Sequence, residues 1–170
     1  MIRLWHPMRD PHHCSYRLLT LLIVAPKNRI QIAKLSFLDL FFLFPHYLRD
    51  IKVPTEVVSR KKSLRLPHKK DSFVYLPDVR LVYRELQHFQ KVAIDRLVAR
   101  NILSRDEYQN QTASLNLDAL PVALNTKIDE RISLNSDLLS YIVNDIGSIP
   151  IDGTGSLLRQ MKLELGGRLR

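Results

Sequence analysis

The sequence predicts a mainly α-helical protein with a few short β-strands, in which a winged-helix-like N-terminal part precedes a helical C-terminal part. Two observations favour this fold class. Apolar residues recur at three- and four-residue steps in several segments, as they do on the buried face of a helix. Prolines and the short polar residues that cap helices stand at the ends of those segments.

The first predicted helix begins after Asp10, which suits the N-cap position. Pro11 suits the first helical position, and Pro26 follows the end of the segment. Helical spacing gives the segment one apolar face, formed by Tyr16, Leu19, Leu22 and Ile23. We therefore expect one helix between the two prolines.

Two more short helices are predicted before Pro45. Residues 30–35 suit the first of them. Ser36 and Asp39 are spaced like a capping box, so the second is predicted to begin at Ser36. Pro45 is expected to end it, because proline cannot donate a hydrogen bond within a helix. Three short helices in succession resemble a helix-turn-helix core.

In such a core the third helix reads the DNA major groove through polar side chains. Here that helix is the segment FLDLFFLF, residues 37–44, and its only polar residue is Asp39. Phosphates repel a carboxylate, and no other side chain of the segment could bond to a base edge. We therefore expect the segment to be buried or to dock a protein partner.

The segment after this core is basic and contains three prolines. Val57–Val58 and Phe73–Tyr75 are predicted as short strands on either side of a basic loop at residues 60–70, as in a wing. A solvated linker is the alternative that remains open. Clustered cations suit contact with phosphates, and those of the loop are Arg60, Lys61, Lys62, Arg65, Lys69 and Lys70.

The longest predicted helix covers residues 78–101, with Asp78 as its cap. Its apolar stripe consists of Val79, Val82, Leu86, Phe89, Ala93 and Leu97. A strand is predicted near residues 113–117. We expect residues 1–118 to form the winged-helix-like core with its basic loop.

Residues 119–170 are predicted to form a helical segment that packs on the same domain. Pro121 is expected to open one helix, and Asn135 or Ser136 to cap the next. Gly147 stands where a C′ glycine is expected to end the second helix. A last short helix is predicted from Ser156.

The positive charge belongs to the first part of the chain. Residues 1–70 contain 14 Lys/Arg and 4 Asp/Glu, a balance of +10, while the whole chain has a formal net charge of +9. This excess favours an anionic partner, either a nucleic acid or an acidic protein surface.

Neither a membrane span nor secretion is expected. The longest apolar runs, residues 18–25 and 40–45, are far shorter than the roughly 20 residues that cross a bilayer. The single cysteine, Cys14, excludes an internal disulfide and suits a reducing compartment. We therefore expect a cytoplasmic protein with no membrane partner.

Catalytic and metal-binding motifs do not emerge from the sequence. His12, His13 and Cys14 are adjacent potential ligands, but no second pair of ligands follows at a zinc-site spacing. The chain contains no nucleophile elbow, phosphate-binding loop or HExxH motif. An enzyme is therefore not expected, and no metal or cofactor is predicted.

Two segments carry a resemblance to a known family: WHPMRDPHHCSYRLLTLL, residues 5–22, and IAKLSFLDLFFLFPHYL, residues 32–48. Their order and the Leu-Asp-hydrophobic-Phe-Pro pattern resemble the small middle components of bacterial ABC-three-component defence systems, a group that includes the Lamassu systems. The positions that match the family motif are Trp5, Pro7, Leu38, Asp39, Phe44 and Pro45. Two phenylalanines inside the motif, Phe41 and Phe42, are included with them as candidate partner-binding or fold residues.

The resemblance implies a non-catalytic adaptor subunit of an anti-phage or anti-plasmid complex, bridging an SMC-like coiled-coil ATPase and a nuclease or other effector. DNA is implied as a partner only through the complex. The motif residues are implied to build the fold and a partner-facing surface, with no catalytic residue or cofactor. The alternative that the residues leave open is a free-standing winged-helix DNA-binding regulator.

Overall fold

The computed structural model describes residues 6–68 and 78–163. Within these ranges the chain is mainly α-helical with one small sheet, which confirms the predicted class of a mainly α protein with a few short strands. The α-helices are α1 (Pro11–Val24), α2 (Ile32–Leu43), α3 (Thr55–Ser63), α4 (Val79–Ala99), α5 (Arg105–Gln109), α6 (Val122–Leu134), α7 (Ser136–Ser140) and α8 (Leu157–Gln160). The strands are β1 (Arg29–Gln31) and β2 (Thr112–Ser114), and short 3-10 helices cover Pro7–Arg9, Pro26–Asn28, Pro45–Asp50 and Leu117–Ala119.

Helix α1 is the centre of the fold and packs against α2, α4 and α6. It begins as predicted, because the Asp10 carboxylate accepts a hydrogen bond of 2.8 Å from the backbone N–H of His12 and Pro11 is the first helical residue. The side-chain amide of Asn28 donates to two carbonyls in its last turn. Helix α1 is therefore closed at both ends by side chains.

Residues Ile32–Leu43 form the single helix α2, so the prediction of a new helix at Ser36 was wrong. Ser36 and Asp39 lie inside this helix, and the helix-turn-helix core therefore lacks its predicted third helix. All residues from 35 to 42 are buried, since α2 runs through the core and is apolar on every side. The helix ends, as predicted, just before Pro45.

The sheet consists of β1 and β2, which pair antiparallel with Ile30 opposite Ala113. Both of these residues are buried, while the flanking residues of β1 are exposed. The strand predicted near residues 113–117 is found at Thr112–Ser114. The start of the helix predicted at residues 30–35 was wrong, because Ile30 belongs to a strand whose partner is distant in the sequence.

The wing strand predicted at Val57–Val58 was also wrong, since both valines lie in α3. Pro54 directly precedes this helix, and the arginine and lysines that follow the valines are favourable helix residues. The helical preference of these neighbours exceeds the strand preference of two adjacent valines. The second predicted wing strand, Phe73–Tyr75, lies outside the described residues.

Helix α4 confirms the longest predicted helix, and the Asp78 side chain caps it by accepting from the backbone N–H of Arg80. Its buried face includes one polar residue that the sequence analysis did not single out, Gln90. Two predicted stripe residues, Val79 and Phe89, are only half-buried. Among the described residues, neither α4 nor any shorter helix is long and apolar enough to cross a lipid bilayer.

Helix α6 is held against the rest of the core by Arg131. The Arg131 guanidinium carbon lies 4.9 Å from the ring centroids of both Tyr16 and Phe42, a double cation–π contact. The Tyr16 hydroxyl also donates a 2.6 Å hydrogen bond to the backbone carbonyl of Lys127. The two helices predicted in this region, here α6 and α7, are confirmed.

Helix α7 continues into a π-helical turn, Tyr141–Ile146, which Gly147 follows. Gly147 directly follows the helical residues, near the position expected from the sequence, but its φ of −59° is right-handed and not that of a left-handed C′ glycine. Glycine is required there for a different reason: a Cβ atom would overlap the backbone carbonyl oxygen of Val143. The Lys34 ammonium donates to the carbonyls of Gly147 and Ile149 and so closes this end of the helix.

The buried apolar side chains form one cluster that runs from Met8 to Met161. It includes residues on both sides of position 118, for example Leu35 and Ile142, and α2 contacts the π-helical turn directly. The division into residues 1–118 and 119–170 remains a prediction.

Replacing Gly147 with alanine is expected to destabilise the protein by about 1–3 kcal/mol, the usual cost of overpacking a rigid site. The added methyl group must displace a backbone carbonyl, which cannot rotate away. Urea unfolding measures the loss, with Asn144→Ala on the exposed side of the same turn as the control. An unfolding free energy of G147A equal to that of the control would contradict the close approach.

Candidate functional site

The residues of the family-like motif belong mainly to the core. Its positions on α2 and at the end of that helix are all buried: Leu38, Asp39, Phe41, Phe42 and Phe44. Pro7 and Pro45 each begin a 3-10 helix and are half-buried, and Trp5 lies outside the described residues. This burial supports the fold-building role of the motif, while its partner-facing role remains a prediction.

Asp39 forms a fully buried ion pair with Arg17. Its two carboxylate oxygens accept from Arg17 Nε at 2.6 Å and from Arg17 Nη2 at 3.1 Å, and both side chains are 0% exposed. The remaining guanidinium nitrogen, Nη1, donates to the carbonyl of Pro7 at 3.0 Å. A two-point contact of this kind fixes the distance and the relative rotation of α1 and α2.

A third helix joins the pair through Gln90 of α4. The Gln90 amide nitrogen donates to Asp39 Oδ2 at 2.8 Å and to the carbonyl of Ser36 at 3.1 Å. The desolvation of Arg17 opposes its charge, but the Asp39 carboxylate outweighs this and raises the pKa of Arg17. The Arg17 charge is therefore retained inside the core, and the pair is hydrogen-bonded to Pro7 and to Gln90 of α4.

Cys14 completes the surroundings of Asp39. Its sulfur lies 3.9 Å from Asp39 Oδ2, and burial together with the Asp39 carboxylate raises the pKa of the thiol. The thiol is therefore protonated at neutral pH and chemically inert. His12, two residues before it, is exposed, and no group of three or more His, Cys, Asp and Glu that could hold a metal occurs among the residues that the structure describes.

The predicted cations of residues 60–70 have different roles in the folded protein. Arg60 donates to the Asp145 carboxylate at 2.7 Å and to the Ser140 hydroxyl, so it ties α3 to the region of the π-helical turn. Lys61 donates to the carbonyls of Arg49 and Ile51 at 2.8 and 2.6 Å. Burial lowers the pKa of Lys61, and this residue acts as a structural link.

Lys62 and Arg65 line an open cleft of about 600 Å³, which we call the basic cleft. Lys69 and Lys70 lie outside the described residues. The walls of the basic cleft are two segments, residues 49–53 and 58–66.

Three cations of the candidate site were not identified from the sequence. Arg49 and Lys52 line the basic cleft from the segment opposite α3. An adjoining opening of about 490 Å³ shares Asp50, Lys52 and Val53 with the cleft and adds Arg159 near the end of the described chain. The charge excess of residues 1–70 pointed to Arg49 and Lys52 in general terms, but no sequence signal placed Arg159 beside them.

The fold and the basic cleft define a small helical protein that presents clustered cations at its surface and keeps its one acidic motif residue inside. The family model for the ABC-three component (ABC-3C) system Middle Component 5 matches residues 3–165. The chain belongs to this family, which confirms the resemblance drawn from the sequence. No curated protein and no solved structure matches the chain significantly.

Asp39→Asn is expected to lower the unfolding free energy by about 3–5 kcal/mol, because it leaves the Arg17 charge buried without its counter-ion. The matched control is Asp95→Asn, which breaks the Lys91–Asp95 pair, whose side chains are 72% and 44% exposed. That change is expected to cost at most about 1 kcal/mol. Urea unfolding compares the two variants.

The double variant Arg17→Met/Asp39→Leu separates the cost of an unpaired charge from the cost of altered packing. It is expected to be more stable than Asp39→Asn, since no charge then remains in the core. A double variant that is less stable than the single one would show that packing, and not the unpaired charge, causes the loss.

Proposed function

We propose that this protein is a non-catalytic adaptor subunit of a bacterial anti-phage or anti-plasmid defence complex, and that it bridges an SMC-like coiled-coil ATPase and a nuclease or other effector. The observation that carries the proposal is the family match, which covers residues 3–165 and names a middle component of a three-component system. A component of such a system has partner components, and this chain therefore functions in an assembly.

The distribution of charge supports a binding role for the protein. The buried charges are used by the fold, in the Arg17–Asp39 pair. Lys52, Lys62 and Arg65 are exposed and form no ion pair with another residue of the described chain. Uncompensated charges at an open cleft increase the association rate with an anionic partner.

The adaptor is proposed to act in the cytoplasm and to meet DNA through the complex. Cys14 is buried and unpaired with another cysteine, which suits a reducing compartment. The competing function, a free-standing winged-helix regulator, is less well supported now that Val57–Val58 is helical. An adaptor needs no DNA-reading helix, and α2 is enclosed by the core.

Co-expression of the three components, with an affinity tag on this protein, tests the adaptor role. We expect the ATPase and the effector to co-purify with it in one peak on size exclusion. Omitting this protein is expected to separate the ATPase from the effector. It is also expected to abolish the resistance of the cells to phage infection or to the maintenance of a plasmid. An ATPase–effector complex that forms equally well without this protein would contradict a bridging role.

A further inference from the structure

The basic cleft combines a cationic rim with an apolar floor. Ile51 and Leu66 line it while being 1% and 7% exposed, so they form its base. Val58 of α3 also lines the cleft and is half-buried, yet it does not belong to the apolar core cluster. Its side chain therefore has a free apolar side at the cleft, which an occupant could cover.

The rim of the cleft has an excess of positive charge. The cations that line it are Arg49, Lys52, Lys61, Lys62 and Arg65, and the only acid among its lining residues in the described chain is Asp50. The Lys61 ammonium is bonded to two backbone carbonyls and the Arg49 guanidinium to a third, so Lys52, Lys62 and Arg65 are the rim cations that the fold itself uses least. Arg159 adds a further cation at the adjoining opening.

Hydrogen bonds hold the walls of the cleft in position. Lys61 connects α3 to the carbonyls of Arg49 and Ile51, and Arg49 Nη1 donates to the carbonyl of Leu66 at 2.7 Å. The Gln160 side chain accepts from the backbone N–H of Lys52 at 2.6 Å. A cleft that is already shaped before binding loses little conformational entropy when it is occupied.

We propose that the basic cleft binds an acidic peptide segment with interspersed apolar side chains, contributed by another component of the complex. This inference rests on the proposed adaptor function and names the chemistry of one of its contacts. Carboxylates of the segment pair with the rim, led by Lys62 and Arg65, and its apolar side chains cover Val58 and the floor. Charge complementarity raises the encounter rate and orients the segment, and the apolar contact with Val58 adds affinity that a purely ionic ligand lacks.

A nucleic acid fits this surface less well. The phosphates and sugars of a nucleic acid offer little apolar surface with which to cover Val58. Proteins that bind single strands stack bases on aromatic rings, and none of the lining residues of the cleft in the described chain is aromatic. The pairing of cations with an aliphatic floor is therefore better matched by an acidic protein segment.

The test begins with overlapping peptides of about 15 residues, long enough for one recognition segment, which cover the ATPase and effector components. The peptide that binds the wild-type protein is measured by fluorescence anisotropy, beside a DNA duplex of about 20 base pairs. Lys62→Glu/Arg65→Glu is expected to weaken peptide binding at least tenfold. The control Arg84→Glu/Lys127→Glu makes the same charge change at exposed helical positions away from the cleft and is expected to have little effect.

Val58→Ser separates the two kinds of ligand. It is expected to weaken the peptide about threefold to tenfold through the lost apolar contact, and to leave any binding of the duplex unchanged. The proposal would be overturned in favour of a nucleic acid by two results together: no peptide requires the cleft for binding, and the protein binds the duplex but loses that binding in Lys62→Glu/Arg65→Glu.

The co-expression experiment distinguishes the failure of this inference from the failure of the adaptor role. A wild-type complex that assembles normally and is unchanged by Lys62→Glu/Arg65→Glu and by Val58→Ser overturns the cleft proposal alone. A wild-type protein that captures neither component overturns the adaptor role itself. The adaptor role and the cleft proposal are both supported if the cleft variants lose one component of the complex while the control Arg84→Glu/Lys127→Glu retains all of them.

Discussion

The ion pair between Arg17 and Asp39 is the constraint on which the helical core depends. Neither charge is tolerable in an apolar interior without the other, so α1 and α2 must be placed to keep their side chains in contact. Gln90 extends the requirement to α4. A shift of any one of these helices along its axis breaks a hydrogen bond in the core, whereas apolar contacts alone would allow such a shift at lower cost.

Local features were readable from the sequence, and contacts between distant segments were not. Asp10 and Asp78 cap helices within a few residues of themselves, and both caps were predicted correctly. Asp39 was given the same local role, but its partners come from two other helices. A useful signal was present: Arg17 is the one Lys, Arg, Asp or Glu of α1, Asp39 is the one acid of α2, and both lie among apolar residues where a charge requires a partner.

The candidate site shows the same limit. The sequence identified a cluster of cations at residues 60–65, but it could not separate those that the fold uses from those that remain available. That separation depends on which way α3 faces, because Arg60 is directed to Asp145 and Lys62 to the basic cleft. The misassigned strand at Val57–Val58 has a related cause, since adjacent valines favour a strand only until their neighbours and the tertiary contacts are counted.

The position of α3 also has a mechanical consequence. One side of this helix forms a wall of the basic cleft, and the Arg60–Asp145 pair fastens its other side to the π-helical turn. That turn is itself packed into the core through Tyr141, Ile142 and Ile146. One short helix therefore connects the wall of an open surface cleft to a segment of the buried core, so a displacement of the wall would be resisted by the packing of that segment.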